Sequence, residues 1–138
     1  MPLEVGKPTE ETRKNLQWEL TTTSVTPDQQ VGTYTVPNGK VYVITGVFIE
    51  VVYTTPDATL GNLGTVEVLF NSVKEYGTFR AVNPSSGAPF GFSLPIPEQG
   101  QKFIGDGSKA LLARCTPSST TSTRWIVNIT GYLEEDKS

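Results

Sequence analysis

The chain has 138 residues, with no histidine, one cysteine, and 14 acidic against 11 basic side chains. This length suits one domain with an ordinary hydrophobic core, and a single cysteine excludes an internal disulfide framework. No apolar run is long enough for a membrane-spanning helix and the first residues lack the apolar stretch of a signal peptide, so we expect a soluble, unprocessed protein without a membrane partner.

The chain begins with a segment too polar to fold alone, and we predict an N-terminal arm over residues 1–15. The sequence "LQWEL" that follows alternates as a strand and places Leu16, Trp18 and Leu20 on one face. Buried aromatic side chains dominate the energetics of interfaces. We therefore expect this segment to become ordered against a neighbouring molecule, with Trp18 as its anchor.

Runs of β-branched and aromatic residues, bounded by clusters of Gly, Pro, Asn or Ser, predict eight or nine strands. No window of the sequence has a convincing helical stripe. Many short strands with regular turn signals indicate an all-β, antiparallel sandwich over residues 16–134, followed by an acidic tail at 135–138. The predicted strands are Leu16–Leu20, Gly32–Val36, Val41–Tyr53, Thr65–Phe70, Lys74–Val82, Phe90–Leu94, Gln101–Ile104, Lys109–Cys115 and Arg124–Leu133.

The long strand that follows the "VPNG" turn is apolar on both of its faces. Strict alternation puts Val41, Val43, Val47, Ile49 and Val51 on one face, and Tyr42, Ile44, Phe48 and Val52 on the other with Glu50. A sandwich buries one face of each sheet, so the second face needs a loop, the arm or another subunit to cover it. A carboxylate on a covered face would need a cationic partner, which makes Glu50 informative.

The segments after the long strand predict an edge strand, a turn and a buried cysteine. Four prolines around "FGFSL" confine this stretch to edges and loops, and Phe90 and Phe92 are candidate partner contacts. The sequence "GDGS" at residues 105–108 lacks the further acidic ligands of a calcium loop and is predicted to be a turn. Cys115 is expected to be a buried hydrophobe.

The last strand alternates clearly, and its apolar residues predict one core-facing side. These residues are Trp125, Val127, Ile129, Gly131 and Leu133. The tripeptide "ITG" occurs both here and in the long strand. It suggests either chance or two neighbouring strands that bend at matching glycines.

The net charge of −3 lies at the ends of the chain. Residues 1–20 and 134–138 hold seven acidic and four basic side chains, whereas residues 21–133 hold seven of each. The neutral body takes its polarity from uncharged side chains, with 19 threonines in the chain. A surface of this kind favours association with other proteins, and without a basic patch nucleic acid is not an expected partner.

Three stretches together resemble a known group of proteins. They are "YTVPNGKVYVITGVFIEV", the Gly-rich "GDGSKALLARC" and the closing "WIVNITGYLEE". After a polar N-terminal arm, this combination is similar to small jelly-roll proteins in the virions of tailed bacteriophages. In these, a VP-x-GK turn enters the first long strand and a GY-x-E ending closes the last. The resemblance covers residues 33–135.

The resemblance implies a jelly-roll-like domain that acts in a virus particle, as a head decoration (cement) protein or as part of a fibre or tail accessory. The usual phage decoration proteins form trimers on the shell, and their N-terminal arms often reach across capsomer boundaries. For this chain it implies a homotrimer on the capsid surface, made in the host cytoplasm, with the major capsid protein or another virion protein as partner. No residue-level binding motif is carried over.

Enzymatic activity is not expected. The absence of histidine removes Ser-His-Asp and Cys-His chemistry, His-ligated metals and the usual general base, and we expect no cofactor. Glu50, Glu67 and Glu75 lie on predicted strands, so a pair of carboxylates for glycoside hydrolysis is possible by residue type. Outward-facing strand charges that discourage edge pairing are the simpler interpretation.

A carbohydrate- or receptor-binding module is the alternative function on the same fold class. Such modules stack sugars on exposed aromatic rings. The candidates are Trp18, Tyr53, Tyr76, Phe90 and Phe92. Trp125 is not a candidate, because it belongs to the apolar face of the last strand. Only two tryptophans occur in the chain, which makes the predicted platform thin.

Overall fold

The computed structural model describes residues 12–54, 61–83, 90–118, 120 and 122–137, with side chains at all of these except 61, 62, 74–83, 90 and 92. This part of the chain contains nine strands. They are β1 (Leu16–Thr22), β2 (Gln29–Thr35), β3 (Lys40–Tyr53), β4 (Gly61–Phe70), β5 (Val73–Asn83), β6 (Phe90–Ser93), β7 (Gln101–Ile104), β8 (Ala110–Pro117) and β9 (Thr123–Glu135). Each matches a strand predicted from the sequence.

The strands form two antiparallel sheets. The first has the order β1-β9-β3, and β6 and β7 both pair with the far edge of β3. The second has the order β2-β8-β4-β5. The chain passes repeatedly from one sheet to the other, so neighbours in a sheet are mostly distant in sequence. This arrangement confirms the predicted all-β, antiparallel sandwich.

The core lies between the sheets, and β9 contributes to it as predicted. Trp125, Val127 and Ile129 are fully or almost fully buried, and Leu133 packs against the same cluster. The indole Nε1 of Trp125 donates a hydrogen bond of 2.9 Å to the hydroxyl of Thr123, which is itself buried. The polar end of this large side chain is therefore satisfied inside the core.

A β-bulge in β3 reverses which face of the strand points to the core. Its ladder with β9 shifts register between Ile44 and Gly46, which leaves Thr45 as the extra residue. The core-facing residues are Tyr42 and Ile44 before the bulge and Val47, Ile49 and Val51 after it. The predicted faces of this strand were wrong, because one inserted residue reverses the alternation and they assumed none. The two "ITG" strands are neighbours, which is one of the two alternatives, but their glycines are not partners, because Gly46 pairs with Thr130 and Gly131 pairs with Ile44.

The first half of β3 has an apolar outer face that the chain itself covers. Val41 and Val43 point away from the core and form a small buried cluster with Tyr132 of β9. The backbone of Gly100 lies against Val43, since a Cβ placed on Gly100 would be 2.6 Å from Val43 Cγ1. Part of the second apolar face is thus covered by a neighbouring strand and by the turn before β7.

The second half of β3 has a more open outer face. Phe48 is 40% exposed, and Glu50 and Val52 are half-buried. Glu50 pairs in the ladder with Ile126 on one side and Gly91 on the other. Among the described residues no cation lies within ion-pair distance of Glu50, and its partial exposure lets water solvate the carboxylate. A cationic partner was expected only if Glu50 were fully covered, and its partial exposure means that this condition is not met.

Two turns at one end of the sandwich follow their sequence signals. In "VPNG" the amide of Lys40 donates to the carbonyl of Pro37 at 3.2 Å, and Gly39 has a φ of 79°. The turn therefore runs from Pro37 to Lys40, and Gly39 is its third residue. A positive φ at the third residue is the geometry of a type II turn. In "GDGS", the Asp106 carboxylate accepts bonds of 2.8 to 2.9 Å from Ser108 and from the Lys109 amide. The predicted turn is confirmed.

The N-terminal segment joins the edge of the first sheet before β1 begins. The amide of Lys14 donates to Gly131 at 2.8 Å, and the amide of Leu133 donates to Thr12 at 2.8 Å. The buried hydroxyl of Tyr42 donates to the carbonyl of Lys14 at 2.6 Å. Four residues of the predicted arm, 12–15, are therefore held by the chain's own β9 and β3. Residues 1–11 lie outside the described residues, so the arm stays a prediction.

Candidate functional site

Three of the predicted interface residues belong to the inner face of β1. Leu16 is buried in the core, and Trp18 and Leu20 are partly buried and pack against it. The Trp18 ring lies on the backbone of Gly32 in β2, because a Cβ there would be 2.0 Å from Trp18 Cγ. Trp18 thus closes the side of the sandwich where β1 and β2 meet. An interface role for these three side chains stays a prediction, and they already have partners within the chain.

The other two predicted interface residues lie on β6. Phe90 pairs with Val51, and Phe92 pairs with Ile49 in the ladder with β3. Their side chains are outside the described part of the structure, and so is that of Tyr76. Tyr53, another aromatic candidate, is half-buried and packs against the core. Among the described candidates, Trp18 and Tyr53 do not form the exposed platform that the carbohydrate alternative requires.

A different surface carries an exposed aromatic ring. A shallow groove of about 420 Å³ lies on the outer face of the first sheet, beside the β-bulge of β3. Phe48 is the exposed ring at this groove, and its tip lies over the Gly91 backbone, where a Cβ would be 2.8 Å from Phe48 Cζ. The groove is also lined by Thr45, Ser93, Ile96, Asn128 and Thr130.

The hydroxyl groups at the bulge are positioned by one another. The Thr45 hydroxyl lies 3.2 Å from the Thr130 carbonyl and 3.3 Å from the Thr130 hydroxyl. The Thr130 hydroxyl in turn lies 3.4 Å from the carbonyl of Gly46. Among the described residues none forms a hydrogen bond with the side-chain amide of Asn128, which is half-buried beside them. The groove therefore presents fixed hydroxyls next to an amide with unused donors and acceptors.

A second, smaller cavity of about 270 Å³ continues from this groove toward the N-terminal segment. It shares Thr45 and Thr130 with the first and is bounded by Arg13, Asn15 and Tyr132. Together the two cavities cross β3 and β9 at the level of the bulge. This surface is not evident from the sequence, because strict alternation places Phe48 on the same side of β3 as Tyr42. If a bulge is assumed at the "ITG" of β3, the alternation reverses after it and predicts that Phe48 points outward.

Charged side chains lie outside the groove. Lys40 pairs with Glu135, and Lys102 lies 3.1 Å from Glu134, both near the end of β9. Arg114 on the second sheet lies 3.6 Å from Glu67. The groove itself is lined by nine described residues, none of them charged.

The carboxylates considered for glycoside chemistry are separated by the fold. Glu50 is on the outer face of the first sheet and Glu67 on the outer face of the second, so the two cannot flank one bond. The side chain of Glu75 lies outside the described residues. No cluster of three potential metal ligands occurs within the described part of the chain. Burial raises the pKa of the Cys115 thiol to about 12, which makes it a poor nucleophile.

No protein-family model and no curated protein matches the sequence. Within the ranges that the structure describes, no helix has the length and apolar character needed to cross a bilayer.

Proposed function

We propose that this protein is a non-enzymatic structural component of a virus particle, a head decoration protein that binds the capsid of a tailed bacteriophage. In this proposal the sandwich is the body that sits on the shell as a trimer, and the N-terminal arm contacts the major capsid protein. The protein is made in the host cytoplasm and acts on the outer surface of the particle.

The observation that carries the proposal is that both ends of the described chain leave from one end of the sandwich. Thr12 is hydrogen-bonded to Leu133, and the amide of Asp136 donates to Gly39 in the turn before β3. Residues 1–11, which precede Thr12, hold three acidic side chains and one basic side chain. A sandwich with an acidic N-terminal extension at one end is suited to attachment in a fixed orientation.

The anchor of the arm gives this orientation a physical basis. The Tyr42 hydroxyl that holds the Lys14 carbonyl is fully buried, and burial raises its pKa, an effect that neighbouring Tyr34 strengthens. The amino group of Lys14 lies 5.3 Å from the centre of the Tyr34 ring. Residues 12–15, from which the arm starts, are therefore already fixed. Because they are fixed, less conformational entropy is lost when residues 1–11 bind a partner.

Binding to heads that lack the protein tests the proposal. Purified full-length chain is mixed with undecorated heads from a phage strain deleted for this gene, and bound protein is measured after sedimentation. A truncated chain that lacks residues 1–11 is tested beside it. Residues 12–15 are kept, because they pair with β9 and belong to the edge of the sandwich. We expect saturable binding by the full chain and at least about a tenfold loss for the truncated chain.

A matched control separates loss of the arm from general damage. Val25 is 46% exposed in the connection between β1 and β2, away from both termini. Val25→Ser should bind as the unchanged protein does. Equal binding by the truncated chain would remove the arm from the mechanism, and no binding by the full chain would refute decoration. A strict monomer in solution and on the head would contradict the trimer.

A further inference from the structure

We infer that the groove beside the β3 bulge binds a neutral oligosaccharide, with Phe48 as the surface on which a sugar ring stacks and Asn128 as its principal hydrogen-bonding group. This inference is independent of the proposed attachment to a phage head. It concerns the outer face of the first sheet and residues 12–15 beside it, whereas the proposed attachment uses residues 1–11.

The position of the groove on a sheet face argues against an extended peptide. β3 and β9 form a continuous ladder from Lys40 to Tyr53, interrupted only at the bulge, so their backbone groups bond to one another. A peptide bound by strand addition needs an open sheet edge, which gives it main-chain hydrogen bonds. A ligand on this face must instead be recognised through side chains.

The side chains that line the groove match a sugar. Phe48 offers an exposed apolar ring, which suits the C–H face of a pyranose. Beside it, the Asn128 amide offers two donors and a carbonyl acceptor, and the Thr45 and Thr130 hydroxyls add fixed donors and acceptors. A ligand with one apolar face and several hydroxyl groups at its rim satisfies both kinds of contact.

Charge and size narrow the ligand class further. The lining residues of the larger cavity are uncharged, which favours a neutral ligand over phosphate or a carboxylate. Its volume of about 420 Å³ falls within the range of small-molecule sites. The adjoining cavity of about 270 Å³ extends the site across β9. Its lining includes Arg13, which already interacts with other groups of the chain and whose guanidinium can also donate hydrogen bonds to sugar hydroxyls. An elongated groove that crosses the strands fits an oligosaccharide better than a single sugar.

Titration followed by amide NMR tests the inference on the full chain. The probes are maltotriose, cellotriose, mannotriose and tri-N-acetylchitotriose, each added to ¹⁵N-labelled protein. We expect saturable shifts from at least one probe, centred on residues 45–48, 93–96 and 128–130. Phe48→Ala and Asn128→Ala should each weaken that binding by about tenfold or more.

Ile104→Ala is the matched control, since Ile104 is 50% exposed on the same outer face but lies at β7, away from the groove. It should bind the probe with unchanged affinity. The inference is overturned if none of the four probes shifts the named amides, or if the Phe48 and Asn128 variants, checked for intact fold by their spectra, bind as tightly as the control. Shifts at these residues on concentrating the protein alone would assign the groove to a second copy and also overturn it.

Discussion

Gly32→Ala tests how Trp18 closes the sandwich. A Cβ on Gly32 would lie 2.0 Å from Cγ and 2.3 Å from Cδ2 of Trp18, whereas carbon atoms in contact are about 3.5–4.0 Å apart. The indole ring must therefore move away from β2. Overpacking of this kind costs about 1–3 kcal/mol. For a chain of this size, we expect the melting temperature to fall by about 4 °C for each kcal/mol.

A double-mutant cycle isolates this contact from other effects of the substitution. Trp18→Ala alone should cost about 2–4 kcal/mol, since the ring is only partly buried. In that background Gly32→Ala has no ring to displace, so the double variant should be nearly as stable as Trp18→Ala. The sum of the single effects should then exceed the double effect by about 1–3 kcal/mol in urea unfolding. Additive effects, or a neutral Gly32→Ala, would refute the role given to Trp18.

Three other predictions concern local features. Ser72 has a φ of 65° in the β4–β5 turn, so Ser72→Gly should raise the free energy of unfolding by about 0.5–1 kcal/mol; a less stable variant contradicts the strain. Cys115 should not react with a thiol reagent in the native protein and should react fully in urea, because it is buried and its pKa is raised. Hydrogen bonds from Ser108 and Lys109 lower the pKa of Asp106. The ionised carboxylate therefore stabilises the fold at neutral pH, and this contribution to the free energy of unfolding is lost as the pH falls below about 4. Asp106→Ala should remove this contribution from the pH dependence of stability.

The sequence predicted the strands well because their signals are local. Most strands are runs of β-branched and aromatic residues bounded by Gly, Pro, Asn or Ser, although β8 is an exception in composition. The alternation of β9 also predicted its core face correctly, since that strand keeps its phase from Trp125 to Leu133. Features decided within a few residues of chain are therefore accessible without a structure.

The candidate site could not be predicted in the same way. The bulge at Thr45 depends on pairing with β9, more than 80 residues later, and it alone determines that Phe48 points outward. The inner position of Trp18 depends on the Gly32 backbone in the other sheet. A single sequence contains both residues but not their proximity, so it could not predict this contact.

Particle composition tests the central claim most directly. Under the proposed function the source is a phage, whose virions are banded in a density gradient, and the band is analysed by quantitative mass spectrometry. Decoration predicts that this chain is found with the intact, DNA-filled heads in a fixed ratio to the major capsid protein. Its recovery only among the slowly sedimenting proteins of the lysate, with none in the particle band, would contradict the proposed function.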